Sequence, residues 1–383
     1  MLKKRGLIVN IAKERTGVGN YVKLIMEYGN FDYDILNISL FWKGKEADYP
    51  RAKSGKSYFF SPNSKSIFVN LLSIFFGNYS KKVGSFISKI NQNYDFIFLS
   101  AQDLIFLAPV FYDKYSTRIV VTVHDKGIFK LPMHPFAIFL KYNFRRLKNV
   151  EISCIIYDSQ QTENDLEAMY DDIHKKGRVV ELTVDTSKFM ARDQAKCRSL
   201  LGLPIDVPIV LNVGNDGYVK NVETVFRSLP EIENNFLFVR VGRLRRTKKI
   251  YDSLNPEIRK KIIVIDDVTD ETLPLYYNAA DVFVFPSLKE GFGLELVEAV
   301  LSGNEVVTTD APPMNKIIGE LGYYVHNPRD FHELARVISD ALTNKAKNKI
   351  KNNPSEEWVR RFSVNRFISE TEDCFFPEKL HLH

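Results

Sequence analysis

The sequence predicts an α/β protein of two domains, each built on a mainly parallel sheet. The chain has 383 residues, more than a single hydrophobic core usually covers, which favours two domains. Short apolar runs alternate with helical stretches in the first half, and the same rhythm restarts after a Gly- and Pro-containing segment at residues 202–208. With 45% hydrophobic and 26% charged residues, the composition is that of an ordinary globular protein.

Both halves supply candidate strands for these sheets. In the first half they are residues 6–11, 94–99, 118–123 and 154–158. In the second half they are residues 209–213, 236–241, 262–265, 282–285 and 306–308. Because parallel strands buried on both faces read as nearly continuous apolar runs, these segments fit parallel sheets covered by helices.

A glycine turn follows the first predicted strand. Residues 16–19, Thr-Gly-Val-Gly, lead from that strand into a helical stretch. A strand, glycines and a helix form a phosphate-binding unit, so Gly17 and Gly19 are candidate ligand contacts. The third glycine of a dinucleotide fingerprint is missing, so a nicotinamide-dependent dehydrogenase ranks last, and a tight turn that needs glycine is the alternative.

A polar pair, His124 and Asp125, ends the predicted strand 118–123. Open α/β sheets bind their ligands at the carboxyl ends of strands, so this position favours a role in the site. A structural histidine is the alternative interpretation.

A lysine and a group of aspartates follow two strands of the second half. Lys220 ends the stretch 214–220 before a predicted helix, where a point charge can neutralise a phosphate. A solvated lysine is the alternative. Asp266, Asp267 and Asp270 follow strand 262–265, and solvated carboxylates near a helix start are favoured there over a metal site.

The segment 285–310, FPSLKEGFGLELVEAVLSGNEVVTTD, contains the most informative pattern. It predicts a strand end, a turn with Glu290, Gly291 and Gly293, a short helix and a second strand. The glycines remove side chains where backbone amides open a helix, and such amides favour a bound anion. The turn therefore predicts a phosphate site, and an ordinary strand–turn–helix is the alternative.

A helical wheel of residues 294–301 gives the orientation of the two following carboxylates. It places Leu294, Val297, Val300 and Leu301 on one buried stripe. Glu298 falls at the edge of that stripe, and Glu295 falls further towards water. We therefore expect Glu298, together with Glu290, to hydrogen-bond hydroxyl groups of a ligand.

Glu290 and Glu298, with seven residues between them, are part of a longer pattern. Phe-Pro-Ser precedes the first Glu and Gly-Phe-Gly-Leu follows it. This pattern resembles the donor-site signature of the retaining GT-B glycosyltransferases of family four, glycosyl transferases group 1. The family usually has Pro where this chain has Glu295, and Met-Ala where it has Leu301 and Ser302.

The resemblance implies a role for each site residue. Glu290 contacts the donor sugar and Glu298 takes the ribose hydroxyls. The backbone of the Gly-Phe-Gly-Leu turn faces the sugar and diphosphate, and the glycine turn near the N-terminus also contributes. The implied catalytic residues are His124, Glu290 and Lys220; the implied donor-binding residues are Gly17, Gly19, Asn215, Lys220, Val268, Glu290, Gly291, Phe292, Gly293, Leu294 and Glu298. Similar family members carry Arg or Ser after the glycine of this loop, and often Arg-Lys further along it. This chain keeps Lys220 but has Asn215 and Val219 at the other positions, so one cation of the diphosphate clamp is expected to be missing.

The resemblance also implies the GT-B fold, two Rossmann-like domains with an interdomain cleft. We place the acceptor-side domain at residues 1–195 and the nucleotide-sugar-binding domain at residues 196–355. The helical stretch in residues 356–383 is expected to pack back on the first domain.

Charge and cysteine usage bear on partners and compartment. The net charge is +6, and residues 51–90 contain no acidic residue. This segment has lysines around an apolar run, which fits either peripheral contact with an anionic membrane or a buried helix with solvated ends. No nucleic-acid-binding motif is present. Three widely spaced cysteines predict no disulfide framework, and a cytoplasmic location is expected, on the inner face of the membrane if residues 51–90 bind lipid.

These features lead to one expected function. The chain is expected to be a retaining, metal-independent glycosyltransferase without a cofactor. It would move a sugar, with hexose favoured, from a UDP- or GDP-sugar to a glycan or lipid-linked acceptor. The alternative is a catalytically inactive GT-B relative that binds a sugar or a protein partner.

Overall fold

The computed structural model divides the chain into two compact units. The first contains Met1–Leu182 and Val364–His383, and the second contains Thr183–Ser363. The structure describes residues 3–14, 16–39, 45–61, 73–74, 77–124, 152–167, 177–347, 349 and 351–376.

These divisions differ from the boundaries at 195/196 and 355/356 placed from the sequence. The short helix Thr186–Phe189 lies in the second unit, where the Phe189 ring packs at 5.6 Å from Tyr277. At the other end, the Trp358 indole donates to the Ile317 carbonyl at 2.8 Å. Apolar anchors of this kind depend on tertiary contacts, so local composition does not reveal them.

The first unit is built on a parallel sheet of seven strands in the order β3-β2-β1-β4-β5-β6-β7. The strands are β1 Arg5–Asn10, β2 Asp32–Ile38, β3 Ser57–Phe60, β4 Phe96–Leu99, β5 Arg118–Val123, β6 Ile152–Tyr157 and β7 Gly177–Val179. The described α-helices are Gly17–Tyr28, Asn78–Ile87, Ala108–Tyr115, Gln160–Glu167 and Val364–Phe375, with 3-10 turns at Glu46–Asp48 and Gln102–Leu107. Buried Leu, Ile, Val and Phe side chains of the strands form the core of this unit.

The helix Val364–Phe375 completes the first unit. The Phe375 ring stacks on Phe96 with 4.2 Å between centroids, and the Phe367 ring lies 5.4 Å from Tyr21. Because both phenylalanines are fully buried, this helix covers sheet surface that would otherwise meet water.

The second unit is built on six parallel strands in the order β10-β9-β8-β11-β12-β13. They are β8 Ile209–Val213, β9 Leu237–Val241, β10 Ile262–Ile265, β11 Val282–Phe285, β12 Glu305–Thr309 and β13 Gly322–Val325. The described α-helices are Thr186–Phe189, Gln194–Leu201, Val222–Ser228, Lys248–Ser253, Pro256–Arg259, Leu273–Ala279, Leu294–Leu301, Met314–Ile318, Phe331–Ala346 and Glu356–Arg361, with 3-10 turns at Tyr218–Lys220, Leu229–Glu231 and Gly319–Leu321. Since all six strands are parallel, their carboxyl ends share one edge, and the loops after β8, β9, β10 and β11 meet there.

Part of the segment proposed for membrane contact lies outside the described residues. Residues 62–72 and 75–76 are not described. The remainder contains β3 and the helix Asn78–Ile87, whose Lys81 and Lys82 are exposed. Among the helices that the structure describes, none combines the length and apolar character needed to cross a membrane.

Candidate functional site

Two loops at the carboxyl edge of the second sheet are joined by hydrogen bonds. The Leu288 amide donates to the Val219 carbonyl at 2.8 Å, and the Ser287 hydroxyl lies 2.8 Å from the same carbonyl oxygen. The Asn221 side-chain amide donates to the Pro286 carbonyl at 3.0 Å. These bonds hold the loop after β8 against the loop after β11, and so bring Lys220 beside Glu290.

Lys220 forms two ion pairs in this cluster. Its Nζ lies 3.0 Å from Glu290 Oε1 and 2.8 Å from Glu295 Oε1, and it sits 4.6 Å from the centroid of the Phe285 ring. The lysine and Glu290 side chains are only 11% and 13% exposed. Because water is largely excluded, these charges interact more strongly than a surface pair.

Burial and pairing act on the protonation of this cluster. Burial opposes the charge on Lys220, but Glu295 and Glu290 outweigh it and raise the pKa of Lys220. Burial raises the pKa of Glu290, with Lys220 opposing that rise. Lys220 therefore stays protonated, and the two carboxylates already balance its charge before any anion binds.

Glu295 corrects the helical-wheel prediction, which placed it towards water. Its carboxylate pairs with Lys220 and is 23% exposed. In the helix Leu294–Leu301, side chains tilt towards the N-terminus, so a long side chain in the first turn reaches the neighbouring loop. The carboxylate also lies beside Gly214, where a Cβ would make an ordinary contact with Glu295 Oε1 at 3.7 Å.

The same wheel placed Leu294 and Leu301 on the buried stripe, whereas the structure leaves both only half-buried. Leu296 and Ala299 are buried in addition to Val297 and Val300, so the packed face of the helix is rotated from the predicted one.

Glu298 lies one turn further along this helix, beside the fully buried Tyr277. Burial raises the pKa of Glu298 from its ordinary 4.5 to about 8, with the Tyr277 hydroxyl opposing the rise. At neutral pH the carboxyl group is mostly protonated, so it can donate one hydrogen bond and accept others. That capacity suits recognition of a hydroxyl pair.

Replacing Glu298 with Gln is expected to flatten the pH dependence of stability. Because the folded pKa is raised, the folded protein binds more protons than the unfolded chain between about pH 5 and pH 8, and wild-type stability falls as pH rises through that window. Glutamine stays neutral and removes this fall. Urea unfolding at pH 5.5 and 8.5 measures the effect, with the exposed Glu257→Gln as control. Equal pH slopes for wild type and Glu298→Gln would contradict it.

The turn before this helix presents backbone amides. Gly293 precedes the helix with φ +105°, in the left-handed region that favours glycine. Within the described part of the chain, no acceptor is hydrogen-bonded to the Phe292 or Gly293 amide. The Phe292 side chain is buried, with its ring 6.1 Å from Phe362, and Gly291 and Leu294 are half-buried. The turn is thus anchored by the Phe292 side chain, while the Phe292 and Gly293 amides can donate to an anion.

Asn215 and Val268 lie in the loops after β8 and β10. Asn215 is exposed, and its Oδ1 accepts from the Gly217 amide at 2.8 Å, which shapes the turn. Val268 is half-buried. In the described ranges, no group of three or more His, Cys, Asp or Glu side chains is arranged to hold a metal ion.

Sequence reasoning missed Arg240, which is fully buried on β9. Its guanidinium donates to the Gly214 carbonyl at 2.7 Å and to the Val241 carbonyl at 3.1 Å. Burial lowers the pKa of Arg240 to about 10, so it remains charged at neutral pH. Arg240 fixes the start of the loop that carries Lys220, and an arginine within an apolar strand was the available signal.

In the first unit, Gly17 and Gly19 begin the helix Gly17–Tyr28. The Gly19 amide donates to the Thr16 hydroxyl at 3.1 Å. A Cβ at Gly19 would lie 2.0 Å from the Lys13 carbonyl oxygen, whereas one at Gly17 would meet open space. Gly19 is thus required by packing, which is the structural alternative considered above.

His124 is placed by three residues of the first unit. Its Nε2 lies 2.8 Å from the Ser100 carbonyl oxygen, so that nitrogen carries the proton. Its Nδ1 lies 3.8 Å from Asp158 Oδ2, and the ring packs edge-on to Tyr21 at 5.2 Å. Asp125, its predicted neighbour, lies outside the described residues.

Comparisons with known proteins agree with this architecture. Residues 193–357 match the family model described as Glycosyl transferases group 1. An uncharacterized glycosyltransferase of Methanocaldococcus jannaschii is 27% identical over 186 residues, covering 46% of this chain and 47% of that protein. The O-antigen chain mannosyltransferase RfbU of Salmonella typhimurium is 24% identical over 218 residues, covering 55% and 57%. The chain therefore matches about half the length of these relatives.

Solved structures match over nearly the whole chain. Sucrose-phosphate synthase from Thermosynechococcus elongatus aligns with a TM-score of 0.76 at 19% identity, covering 98% of this chain and 99% of that one. HepE from Anabaena, in complex with UDP and glucose, aligns with a TM-score of 0.72 at 16% identity, covering 97% and 98%. At this identity the likeness shows the fold, and the predicted GT-B class with two parallel-sheet α/β domains is confirmed.

Proposed function

We propose that this protein is a retaining glycosyltransferase that transfers a sugar, with hexose favoured, from a UDP- or GDP-sugar to a glycan or lipid-linked acceptor. The observation that carries the proposal is the Lys220 cluster, in which a buried cation lies between Glu290 and Glu295. The amides of the glycine turn supply donors beside it. The family match of residues 193–357 agrees with this assignment.

The proposed chemistry follows from the character of these groups. Lys220 and the turn amides stabilise charge on the departing diphosphate, and fixed donors of this kind supply much of a transferase's rate enhancement. Glu290 hydrogen-bonds the donor sugar and Glu298 the ribose. The acceptor hydroxyl bonds to the anomeric carbon on the face that the diphosphate leaves, and its proton passes to the leaving phosphate oxygen. Configuration is thereby retained.

A thermal-shift screen against UDP-, GDP- and ADP-sugars tests donor binding. A ligand that binds only the folded protein raises its stability by about 2.7 kcal/mol at a concentration one hundred times its dissociation constant. We expect a UDP- or GDP-sugar to raise the midpoint, and the corresponding free sugar to leave it unchanged. No shift with any nucleotide sugar would contradict the proposal.

Transfer is expected to persist in excess chelator. Lys220 and the turn amides take the place that a divalent ion has in metal-dependent enzymes. The release of nucleoside diphosphate, measured with and without EDTA, tests this expectation. A rate that collapses in EDTA and returns with Mg²⁺ or Mn²⁺ would show that an ion belongs to the site.

A lipid-linked acceptor would place the protein at a membrane surface through residues 51–90. The exposed Lys81 and Lys82 of this segment would each contribute about 1 kcal/mol near anionic lipid. We expect co-sedimentation with anionic vesicles at low salt, weakened by changing both lysines to Glu and unaffected by Lys260→Glu on the second unit. A wild-type protein that ignores anionic vesicles would favour a soluble glycan acceptor.

A catalytically inactive relative that binds a sugar or a protein partner is the second candidate. Two observations favour it: Asn215 and Val219 leave the loop without the second clamp cation that the resemblance implies, and Lys220 is already paired with two carboxylates. Slow hydrolysis of a bound nucleotide sugar by the purified protein separates the two. Binding without any release of nucleoside diphosphate, even with acceptor glycans, would favour the inactive relative.

A further inference from the structure

The charges around Lys220 raise a question about anion binding. Lys220 pairs with Glu290 at 3.0 Å and Glu295 at 2.8 Å, so this cluster offers a diphosphate no net positive charge. Asn215, on the same loop, is uncharged. A diphosphate carries negative charge on both phosphates, so a further cation beside Lys220 and the turn amides would strengthen its binding here.

The loop after β9 lies directly against the loop after β8. The Gly214 amide donates to the Val241 carbonyl at 3.1 Å. Gly214 and Gly242 both have positive φ, +131° and +135°, and a Cβ on Gly242 would lie 2.0 Å from the Gly214 carbonyl oxygen. Gly214 in turn lies beside Lys220, since a Cβ on Gly214 would lie 4.0 Å from Lys220 Cε. The two glycine turns therefore bring the residue after Gly242 to the rim of the Lys220 cluster.

That residue is Arg243, which is exposed. Among the described residues, no carboxylate pairs with it, whereas Arg246 pairs with Glu223 at 2.9 Å. Asp216, a carboxylate on the loop after β8, accepts from the Arg245 and Thr247 amides at 2.7 and 2.9 Å. Asp216 thus fastens the Arg243 loop to the Lys220 loop without neutralising Arg243.

We propose that Arg243 is the second diphosphate-binding cation of this protein, supplied from the loop after β9 beside Lys220. The proposal rests on the proposed function, because it assumes that a nucleotide diphosphate binds beside Lys220. A guanidinium suits this task, since its planar fork of donors matches phosphate oxygens in pairs.

Calorimetric titration of UDP, GDP and ADP into wild type, Arg243→Gln, Arg243→Lys and Arg245→Gln tests it. Arg245 is the matched control, an exposed arginine two residues further along the same loop. We expect Arg243→Gln to weaken binding of the favoured diphosphate about tenfold or more, the loss typical of a charged hydrogen bond. Arg243→Lys should recover part of that affinity. The corresponding nucleoside should bind wild type and Arg243→Gln equally, because it lacks the phosphates.

The results of these titrations distinguish a wrong assignment of Arg243 from a wrong proposed function. Wild type that binds none of the three diphosphates would overturn both. Wild type that binds one of them, with Arg243→Gln unchanged or with Arg245→Gln equally weakened, would overturn the assignment of Arg243 and leave the donor site standing. Unchanged unfolding midpoints for the exposed variants would show that the losses are not due to misfolding.

Discussion

Replacing Lys220 with methionine is expected to lower nucleoside diphosphate affinity by roughly 30-fold or more. Losing one partner of a buried charge pair costs about 2 to 5 kcal/mol, and each 1.4 kcal/mol is about tenfold. In this variant Glu290 and Glu295 would face the phosphates with no cation between them. Calorimetric titration measures the loss, with Lys260→Met, an exposed lysine in an ion pair with Glu257, as the matched control.

The folding stability of Lys220→Met is also expected to depend on pH in a way that the loss of an uncharged contact would not produce. Without Lys220, the Glu290 carboxylate loses the cation that opposes its burial and faces Glu295 alone, so the pKa of Glu290 rises further in the folded protein. The folded variant then binds more protons than its unfolded chain, and its stability falls as pH rises from about 5 to 8. The loss of folding stability relative to wild type should therefore be small at pH 5 and larger at pH 8. A deficit that does not change with pH would contradict this account of the cluster.

Replacing Glu290 with glutamine is expected to separate catalysis from nucleotide binding. The transfer rate should fall by roughly 10- to 100-fold, because a charged hydrogen bond to the sugar is worth about 1.5 to 3 kcal/mol. Affinity for the nucleoside diphosphate should stay the same or rise, since Lys220 loses one competing carboxylate. Single-turnover kinetics and titration of UDP or GDP measure the two quantities.

The control for this prediction is Glu223→Gln. Glu223 is on the helix Val222–Ser228 and pairs with Arg227 and Arg246 at 2.9 Å each. It should alter neither quantity by more than about twofold. A parallel loss of binding and rate in Glu290→Gln would instead place Glu290 on the diphosphate.

The parts of the fold that the sequence predicted share a physical cause. Strands such as β8 and β11 are continuous apolar runs because both faces are buried, and that pattern is visible in sequence. Strand β2 was not predicted, since it carries the buried Asp34, which accepts from the Lys56 amide and the Tyr94 hydroxyl at 2.8 Å each. These partners are distant in sequence, so local composition gives no sign that a carboxylate belongs in a strand. Edge strand β3 was not predicted either, because it has only four residues and so shows little of the apolar pattern.

The candidate site likewise contains residues that the local sequence predicted and residues that it did not. Glu290, Gly293 and Glu298 were predicted as site residues from their spacing around a turn and a helix, which is local information, and their roles stay predictions. Glu295 and Arg240 were not, because their roles depend on the loop after β8 lying against the helix Leu294–Leu301 and against β9. Such contacts arise from the strand order of the parallel sheet rather than from neighbouring residues.

The central claim, that a nucleotide sugar binds at the carboxyl edge of the second sheet, is tested most directly by titrating UDP- and GDP-sugars into Glu298→Ala and Glu257→Ala. Both variants lose one carboxylate from the same unit, but Glu298 lies in the candidate site and Glu257 is exposed away from these loops. Losing the hydrogen bonds of Glu298 should weaken binding by about tenfold or more, while Glu257→Ala should match wild type. Wild-type affinity in Glu298→Ala, or equal losses in both variants, would contradict the claim.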